Sequence, residues 1–443
     1  MRTTLRIAAL SMAAALTMAS LSRAEPSPSP AERQELAGLA SQTQDEVRGD
    51  ILPWWIKYAP NEQNKGIQGF IGADMTVRPD ADRGALLTSR ILWTFSTAYR
   101  IYHNQEYLDM ARWAYRDLVD HFVDPQYGGL YWTITADGRP KNTVKQIYGQ
   151  AFGIYALAEY YRATGDNEAL AKALGIYALI EKHAWDREHG GYYDALGRDW
   201  GRLEGKNLLG PAPKSQNSHI HILEAYTELL RVWRDPGLLE SQRDLIRLTL
   251  DRIIDPKTHH LILFMKDDWT PVGDHVSYGH DIELSWLIVE AANVVGDQDL
   301  IARARKASVE IANATLTEGI DKDGGVPIEG GPNGYIDRNK EWWEQAEAMV
   351  GFLNAYQISG EPRFLEASRN SWHFIETRLI DRVHGDWLME VTPEGKLAEV
   401  ELRDGRHFPM PKLDLWKCPY HSGRSCFEVD ARVREILGGG PQD

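Results

Sequence analysis

The sequence predicts an all-α fold: a single (α/α)6 barrel with short β-hairpins between successive helix pairs. Amphipathic helical stretches occur in pairs, and a similar turn recurs between the pairs, in copies that begin at Asp124, Asp186, Asp255, Asp321 and Asp381. Successive aspartates are 62, 69, 66 and 60 residues apart, and Asn61 begins a degenerate earlier copy. Because a nearly constant spacing is typical of a repeated supersecondary unit, we expect one repeat architecture instead of two or three domains.

Each predicted helix pair is read from apolar residues at helical spacing. The first helix carries Leu87, Ile91, Phe95 and Tyr99 at four-residue steps. The five predicted pairs are 86–102 with 106–122, 146–163 with 167–184, 216–233 with 237–254, 279–296 with 298–314, and 342–358 with 362–379. A helix at 31–48, extending toward Tyr58, and a last helix at 422–437 should form the sixth pair and close the ring. The barrel then spans 31–437, followed by a flexible tail at 438–443.

The N-terminus has the pattern of a secretory signal. Arg2 and Arg6 precede an apolar stretch from Ile7 to Leu21, and Ser22-Arg23-Ala24 supplies small residues for cleavage. We therefore expect residues 1–24 to be a signal peptide, residues 25–30 to be a Pro/Ser spacer, and the protein to be exported, periplasmic or secreted. The apolar stretch is too short for a comfortable membrane span. The alternative is a misassigned start upstream of a cytosolic enzyme.

Charge and cysteine content exclude several classes of protein. There are 49 Lys and Arg against 64 Asp and Glu, a net charge of −15, which argues against nucleic acid or an anionic membrane as partner. Cys418 and Cys426 are eight residues apart, which in a regular helix separates them by about 12 Å, too far for a disulfide. The sequence thus predicts two free thiols.

Residues that can take part in catalysis or binding lie near the start of the first helix in each pair. They are Arg90; Tyr148 and Gln150; Asn217, His219 and His221; His280 and Glu283; Trp342, Trp343, Gln345 and Glu347; and His421 and Arg424. If these helices form the inner ring, equivalent positions meet at one mouth of the barrel. The sequence therefore predicts a single pocket built from six distant clusters.

Each cluster also has a purely structural interpretation. Arg90 could form a salt bridge between helices, and Asn217 with His221, four residues apart, could cap a helix. His280 and Glu283 are one turn apart, which suits a carboxylate that orients an imidazole, or an ordinary core pair. Trp342 and Trp343 could be packing residues, although tryptophan also offers a large rigid surface for stacking on a sugar.

Metal and nucleotide chemistry have little support. His219, His221 and His280 could in principle ligate a metal, but no HExxH or comparable zinc spacing is present. No phosphate-binding glycine motif follows a predicted strand. We expect neither a metal nor a cofactor.

Six segments together resemble the cellobiose 2-epimerase branch of the N-acylglucosamine 2-epimerase superfamily, over about residues 40–430. The segments are Ser89-Arg-Ile-Leu-Trp-Thr-Phe-Ser96, Tyr148-Gly-Gln-Ala-Phe152, Asn217-Ser-His-Ile-His-Ile-Leu-Glu-Ala-Tyr226, Ser277-Tyr-Gly-His-Asp-Ile-Glu283, Trp342-Trp-Glu-Gln-Ala-Glu347 and Lys417-Cys-Pro-Tyr-His421. The resemblance implies an (α/α)6 barrel that epimerises C2 of the reducing-end glucose in β-1,4-linked disaccharides. One departure is Ser422, where the family pattern has Asn after the histidine.

The resemblance also implies roles for individual residues. His280 and His421 correspond to the acid/base pair, and His221 and Arg90 assist in the substrate pocket. The remaining matches are expected to bind sugar or orient a histidine: Tyr148, Asn217, Glu283, Trp342, Trp343, Glu347 and Trp416. The implied partner is a small oligosaccharide, and we expect a monomer.

The implied chemistry accounts for these residue types. C2 inversion removes a proton next to an aldehyde, so the sugar ring must open first. Two groups on opposite faces are the simplest solution, and because histidine titrates near neutrality, one can be neutral while the other is protonated. Arg90 and His221 are suited to stabilising the enediolate oxygen.

Three other functions remain open at this point. A mannose isomerase or an N-acylglucosamine 2-epimerase would use the same histidines on a monosaccharide. A glycoside hydrolase or lyase can have the same barrel, but a hydrolase needs two placed carboxylates, and only Glu283 and Glu347 stand near the predicted mouth. A non-catalytic sugar-binding protein would not need three histidines that converge with an arginine.

Overall fold

The inner ring consists of six helices that start at one end of the barrel. The computed structural model describes residues 28–203, 210–401, 405 and 407–439. The inner helices are α3 (Ala85–Tyr102), α5 (Ile147–Thr164), α7 (Gln216–Val232), α9 (Tyr278–Val295), α11 (Trp342–Ser359) and α13 (Pro419–Ile436). Each contacts the next, and α13 packs on both α11 and α3, which closes the ring. The predicted (α/α)6 barrel is confirmed.

Six outer elements surround this ring; three of them end in a π-helical turn, and a fourth π turn joins α1 to α2. They are α1 (Pro30–Glu46) with α2 (Leu52–Tyr58), α4 (Gln105–Asp117), α6 (Asn167–His183), α8 (Pro236–Leu248), α10 (Gln298–Glu318) and α12 (Pro362–Phe374). The π turns are Val47–Ile51, Leu118–Phe122, Thr249–Ile253 and Ile375–Leu379. As predicted, the first and last helices form the sixth pair, because α1 packs on α13.

A glycine followed by an aspartate marks the junction between an inner helix and its outer partner in two of the pairs. Gly165 ends α5 with a positive φ of 74°, a conformation that glycine adopts without the steric cost of a Cβ. The next residue, Asp166, accepts hydrogen bonds from the backbone N–H groups of Glu168 and Ala169 and so caps α6. Gly296 and Asp297 repeat this arrangement between α9 and α10. These caps explain why the sequence predicts the helix ends closely.

The recurring aspartates form the turns that return the chain from the outer to the inner ring. Asp124 Oδ1 accepts hydrogen bonds from the N–H groups two and three residues ahead, and Asp186, Asp255 and Asp381 do the same. Asn61 makes the equivalent bonds, although the longer is 3.4 Å, which supports its assignment as the degenerate first copy. Such side chains replace backbone partners in a tight turn.

The strands are very short and lie at the mouth where the inner helices begin. They are β1 (Pro60–Asn61), β2 (Gly66–Ile67), β3 (Arg83–Gly84), β4 (Thr133–Ile134), β5 (Pro140–Asn142), β6 (Lys145–Gln146), β7 (Ala195–Leu196), β8 (Lys214–Ser215), β9 (Phe264–Met265), β10 (Glu329–Gly331), β11 (Gly334–Asp337), β12 (Lys340–Glu341), β13 (Glu390–Val391), β14 (Glu399–Glu401) and β15 (His407–Pro409). All pairs are antiparallel.

The predicted hairpins describe only part of this pairing. β1–β2, β4–β5, β10–β11 and β14–β15 are hairpins, whereas β3–β4, β6–β7, β8–β9 and β12–β13 join one repeat to the next. In the β6–β7 pair, Lys145 lies opposite Leu196. The bridging pairs enclose a helix pair between their two strands, and for that reason local turn signals do not reveal them.

Buried ion pairs anchor the strands that lead into five inner helices. Two residues before each of these helices, a buried cation bonds an aspartate of a neighbouring turn or helix: Arg83 with Asp117, Lys145 with Asp124, Lys214 with Asp186, Lys340 with Asp321 and Lys417 with Asp386. Because an unpaired charge is costly inside a protein, each pair holds its helix entrance in place. These contacts set the positions from which the site residues project.

The sequence predictions for the two ends of the chain have different outcomes. The last helix begins at Pro419, three residues earlier than predicted, since proline is favoured in the first helical turn. Cys418 and Cys426 are both buried and free, as predicted. The signal peptide, the first half of the Pro/Ser spacer and most of the tail lie outside the described residues. Within the described part of the chain, no helix is long and apolar enough to cross a bilayer.

Candidate active site

Equivalent positions on the inner helices bring the predicted residues together at one mouth. His280 and His421 are each the third residue of their helices, α9 and α13, which flank α11. The sixth residues of the inner helices are Arg90, Phe152, His221, Glu283, Glu347 and Arg424. The shared register therefore places six sequence-distant clusters around one axis.

These side chains enclose a cavity of about 290 Å³. Its walls are Arg90, Tyr148, Asn217, His221, His280, Glu283, Glu341, Trp342, Trp343, Met389, Trp416 and His421. Glu341 in β12 and Met389, immediately before β13, were not predicted, because neither carries a motif of its own. Of the residues assigned to the site from sequence, Glu347 alone is outside the lining.

His280 is held by a serine and not by Glu283. Its Nδ1 lies 2.7 Å from Ser277 Oγ, and its ring centroid is 4.8 Å from that of Trp343. Burial lowers the pKa of His280 to about 3, and the nearby His221 adds to the effect. The expectation that Glu283 orients His280 is wrong, because the Glu283 carboxylate points toward Arg424.

His421 is held by Glu347, which lies behind it. Its Nδ1 is 2.7 Å from Glu347 Oε1, and Glu347 Oε2 accepts a 3.0 Å bond from Trp286 Nε1. Glu347 is thus a positioning residue for His421 and not a cavity-lining residue. Burial, together with the cations Arg90 and Arg424, lowers the pKa of His421 well below its usual value.

The lowered pKa values differ from the expectation that one of the two histidines is protonated at neutral pH. Desolvation disfavours the charged form of an imidazole, and it lowers the pKa of His221 as well. At neutral pH, His280 and His421 both start neutral, so neither is the preformed acid that the sequence analysis expected.

A buried charge network lies beneath the cavity around Arg424. Its Nη2 donates to Glu283 Oε1 at 2.7 Å and to Glu347 Oε1 at 2.6 Å, and its Nη1 donates to Glu224. Glu224 Oε2 lies 2.9 Å from His221 Nδ1. The sequence analysis missed Glu224, although its place one turn after His221 on α7 was a usable signal.

Arg90 fills one side of the cavity among aromatic rings. Its guanidinium carbon lies 4.4 Å from the Phe152 ring centroid, and its Nη2 donates to the hydroxyl of Tyr148. Its other terminal nitrogen faces the backbone carbonyl of Trp416 at 3.5 Å. Arg90 is therefore a fixed cation that faces the cavity, which is the arrangement needed to stabilise an oxyanion.

Three tryptophans form much of the remaining cavity wall. Trp343 lies between the two histidines, with ring centroids 4.8 Å from His280 and 5.6 Å from His421, and its indole N–H donates to Glu341. Trp342 is almost fully buried, whereas Trp416 is 37% exposed at the outer edge. Such flat surfaces can stack on sugar rings.

Three residues of the predicted clusters are structural. Gln150 and Gln345, each the fourth residue of an inner helix, bond both backbone groups of Leu130 and Val326 respectively. His219, at the same position of α7, accepts from Tyr192 N and contacts Ser215 O. Ser422, at this position of α13, bonds back to Pro419 and does not line the cavity.

Among the described residues, potential metal ligands converge at one place, and a metal does not fit there. Atoms of Glu283, Glu347 and His421 lie within 4.8 Å of one another. Arg424 donates hydrogen bonds to both carboxylates, so a cation already occupies the position that a metal would need.

The chain is similar to known proteins over most of its length. The sequence model for the N-acylglucosamine 2-epimerase family matches residues 66–408. The chain is 42% identical to the cellobiose 2-epimerase of Bacteroides fragilis over 88% of its own length and 98% of that protein. The solved structure of cellobiose 2-epimerase from Spirochaeta thermophila superposes with a TM-score of 0.83 at 37% identity, covering 92% of this chain and all of that one.

More distant relatives have lower sequence identity to this chain. Human N-acylglucosamine 2-epimerase is 23% identical, over 83% of this chain and 86% of that protein. A D-mannose isomerase structure has a TM-score of 0.73 at 20% identity, covering 91% of this chain and 99% of that one. A family 76 α-mannanase from Bacteroides thetaiotaomicron has a TM-score of 0.60 at 12% identity, covering 92% of this chain and 99% of that one. These last two likenesses concern the barrel fold alone.

Proposed function

Since the chain belongs to the N-acylglucosamine 2-epimerase family, a family of carbohydrate epimerases, we propose that it epimerises C2 of the reducing-end glucose in β-1,4-linked disaccharides such as cellobiose. Identity of 42% to a cellobiose 2-epimerase, against 24% or less to the N-acylglucosamine 2-epimerases, favours this branch. A single structural observation carries the proposal: His280 and His421 stand at equivalent helix positions on either side of α11 and line the same cavity.

The proposed reaction uses the two histidines on opposite faces of C2. After ring opening, one neutral imidazole removes the C2 proton and gives an enediolate. The other returns a proton to the opposite face, which inverts the centre. Because the pKa of each imidazole lies below its usual value, the neutral form, which can accept a proton, is favoured at neutral pH.

The imidazole that donates must first acquire a proton, because both histidines start neutral. Ring opening supplies one: as the C1–O5 bond breaks, O5 takes a proton from an acidic group of the cavity, and the anomeric hydroxyl proton passes to a cavity imidazole as O1 becomes the aldehyde oxygen. That imidazolium then protonates C2, and at ring closure the other histidine returns its proton to O1. The acidic group recovers its proton from the O5 hydroxyl when the ring closes. The two histidines end as they began, and no redox partner is needed.

The negative charge on O1 of the enediolate needs a fixed positive partner. Arg90 is buried, faces the cavity and is held by Tyr148, so it can stabilise this charge without reorganising during the reaction. Burial of the Arg90 guanidinium strengthens this electrostatic interaction, because the surrounding dielectric is lower than that of water.

Incubation in deuterium oxide with cellobiose, mannobiose, mannose and N-acetylglucosamine, followed by separation of products, tests the proposal. We expect glucosyl-mannose from cellobiose, with deuterium at C2 of the product. Faster turnover of a free monosaccharide would move the enzyme to the mannose or N-acylglucosamine branch, and product without any exchange would exclude deprotonation.

The matched variants are His280→Asn and His421→Asn. Each should lower kcat by at least ~100-fold with unchanged helix content, as expected for loss of a general acid or base. Near-normal turnover of either variant would remove that histidine from the mechanism.

A further inference from the structure

The buried network beneath the cavity carries more carboxyl groups than cations. Glu224, Glu283 and Glu347 face Arg424, and Arg90 is the other guanidinium at this end of the barrel. All five side chains are at most 4% exposed. Because an unbalanced charge in such a place is costly, one of the three carboxyl groups has reason to hold a proton.

The hydrogen bonds single out Glu283. Both oxygens of Glu224 are engaged, by Arg424 and by His221. Both oxygens of Glu347 are engaged as well, by His421 and Arg424 at Oε1 and by Trp286 at Oε2. Glu283 Oε1 accepts from Arg424, but Glu283 Oε2 has no hydrogen-bond partner among the described residues.

This free oxygen lies among residues of the cavity wall. Glu283 lines the cavity, and its Oε2 is buried 4.0 Å from Nε2 of His221, another lining residue. Burial raises the pKa of Glu283 well above its usual value, and Glu347 adds to the rise while Arg424 opposes it. A protonated Glu283 would therefore present an O–H group that no protein acceptor uses.

We propose that Glu283 is the general acid that opens the sugar ring and the base that assists its closure, a role that rests on the proposed epimerase function. In the opening step the C1–O5 bond breaks, Glu283 transfers its proton to O5, and the anomeric O1–H proton passes to a neutral cavity imidazole. After C2 inversion, the O5 hydroxyl returns its proton to Glu283 as the C1–O5 bond reforms. The carboxyl group is regenerated in each turnover.

Other groups in the cavity are less suited to this step. Burial raises the pKa of Tyr148, which makes its hydroxyl a weaker acid. Arg90 remains a cation throughout, and the three histidines start neutral. Glu341 is the other carboxyl group in the lining, but it accepts the Trp343 indole N–H, so Glu341→Gln is the matched comparison for Glu283→Gln.

The test compares a cyclic substrate with one that cannot close. Cellobiose whose reducing-end residue lacks O5 has its O4 in the glycosidic bond, so neither a six- nor a five-membered ring can form. We expect Glu283→Gln to lower kcat/KM for cellobiose by at least ~100-fold. The open substrate brings no O1–H proton, so its donating imidazole takes a proton from water and its wild-type turnover is slower, but Glu283→Gln should change that turnover by less than about 10-fold. Glu341→Gln should affect the two substrates equally, and His421→Asn should abolish turnover of both.

The outcomes separate this inference from the proposed function. If the wild-type enzyme inverts neither substrate at C2, the epimerase proposal fails. If it inverts both and Glu283→Gln loses both equally, the ring-opening role of Glu283 is wrong. The rate at which the enzyme interconverts the two cellobiose anomers, followed by NMR, should fall in Glu283→Gln in the same proportion as cellobiose turnover.

A measurement on the wild-type enzyme covers the case in which Glu283→Gln does not fold. Infrared difference spectra on binding cellobiitol, the reduced and unreactive disaccharide, should contain a protonated carboxyl band at neutral pH that persists in Glu341→Gln. Absence of a ligand-sensitive carboxyl band in the wild type, or its loss in Glu341→Gln, would overturn the proposal.

Discussion

The imidazole of His421 and the carboxylate of Glu347 are joined by a 2.7 Å hydrogen bond between Nδ1 and Oε1, across 74 positions of the chain. Since Arg424 and Trp286 hold the same carboxylate, the ring has one defined orientation, with Nε2 directed away from Glu347. The arrangement resembles in function the carboxylate that orients the histidine of a catalytic triad.

Replacement of this carboxylate should impair catalysis more than binding. Glu347→Gln keeps the size of the side chain, but its amide cannot accept from both Trp286 and the His421–Arg424 pair. We expect kcat to fall by at least ~100-fold with KM changed by less than about 3-fold, as is typical when an orienting carboxylate is lost. The pH profile of kcat should also shift. An unchanged profile with a proportional loss of folded protein would indicate a merely structural role.

The exposed tryptophan at the cavity edge should discriminate disaccharides from monosaccharides. Trp416 is 37% exposed, and its ring centroid is 5.9 Å from that of Trp132. We expect Trp416→Ala to raise KM for cellobiose about 10-fold, the loss of roughly 1–1.5 kcal/mol of aromatic contact. Free mannose is the control substrate, and an equal increase in its KM would place Trp416 at the reducing-end sugar instead.

His219 makes stability depend on pH for a reason that can be tested by substitution. Burial lowers the pKa of His219 to about 4. The unfolded chain binds a proton near the ordinary value of 6.5 while the folded protein does not, so this contribution is present above 6.5 and is lost as pH falls toward 4. Between pH 7 and pH 5 the loss amounts to about 2 kcal/mol.

His219→Gln should reduce this sensitivity without disturbing the fold. Glutamine stands at the equivalent position in α5 and α11, where Gln150 and Gln345 bond the backbone in the same way. Denaturant unfolding should show that the variant loses about 2 kcal/mol less than the wild type between pH 7 and pH 5. The exposed His373→Gln serves as control, and an equal slope for wild type and His219→Gln would contradict the assignment.

The N-terminal segment leads us to propose export. Arg2, Arg6, the apolar stretch Ile7 to Leu21 and Ala24 are the features of a cleaved signal. Mature protein recovered from the native host should begin at or near Glu25 by N-terminal sequencing. An intact Met1 on enzyme from the cytosol would exclude cleavage at this site.

The sequence by itself determined the barrel. Helical periodicity, glycine and aspartate at helix ends, and the aspartate turns act within a few residues of one another, so they can be read directly along the chain. Their repetition then placed Arg90, His221, His280 and His421 at one mouth, because equivalent positions of a ring must converge.

The tertiary structure alone decided how those residues are used. Ser277 instead of Glu283 holds His280, and Glu347 stands behind His421. Glu224 joins the network through His221, and Glu341 joins the cavity wall from a position without a motif. The protonation states of these side chains could not be predicted from the sequence either. They depend on burial and on charges from several helices at once, and desolvation inside the ring, which no local pattern encodes, is what lowers the pKa of both histidines and raises that of Glu283.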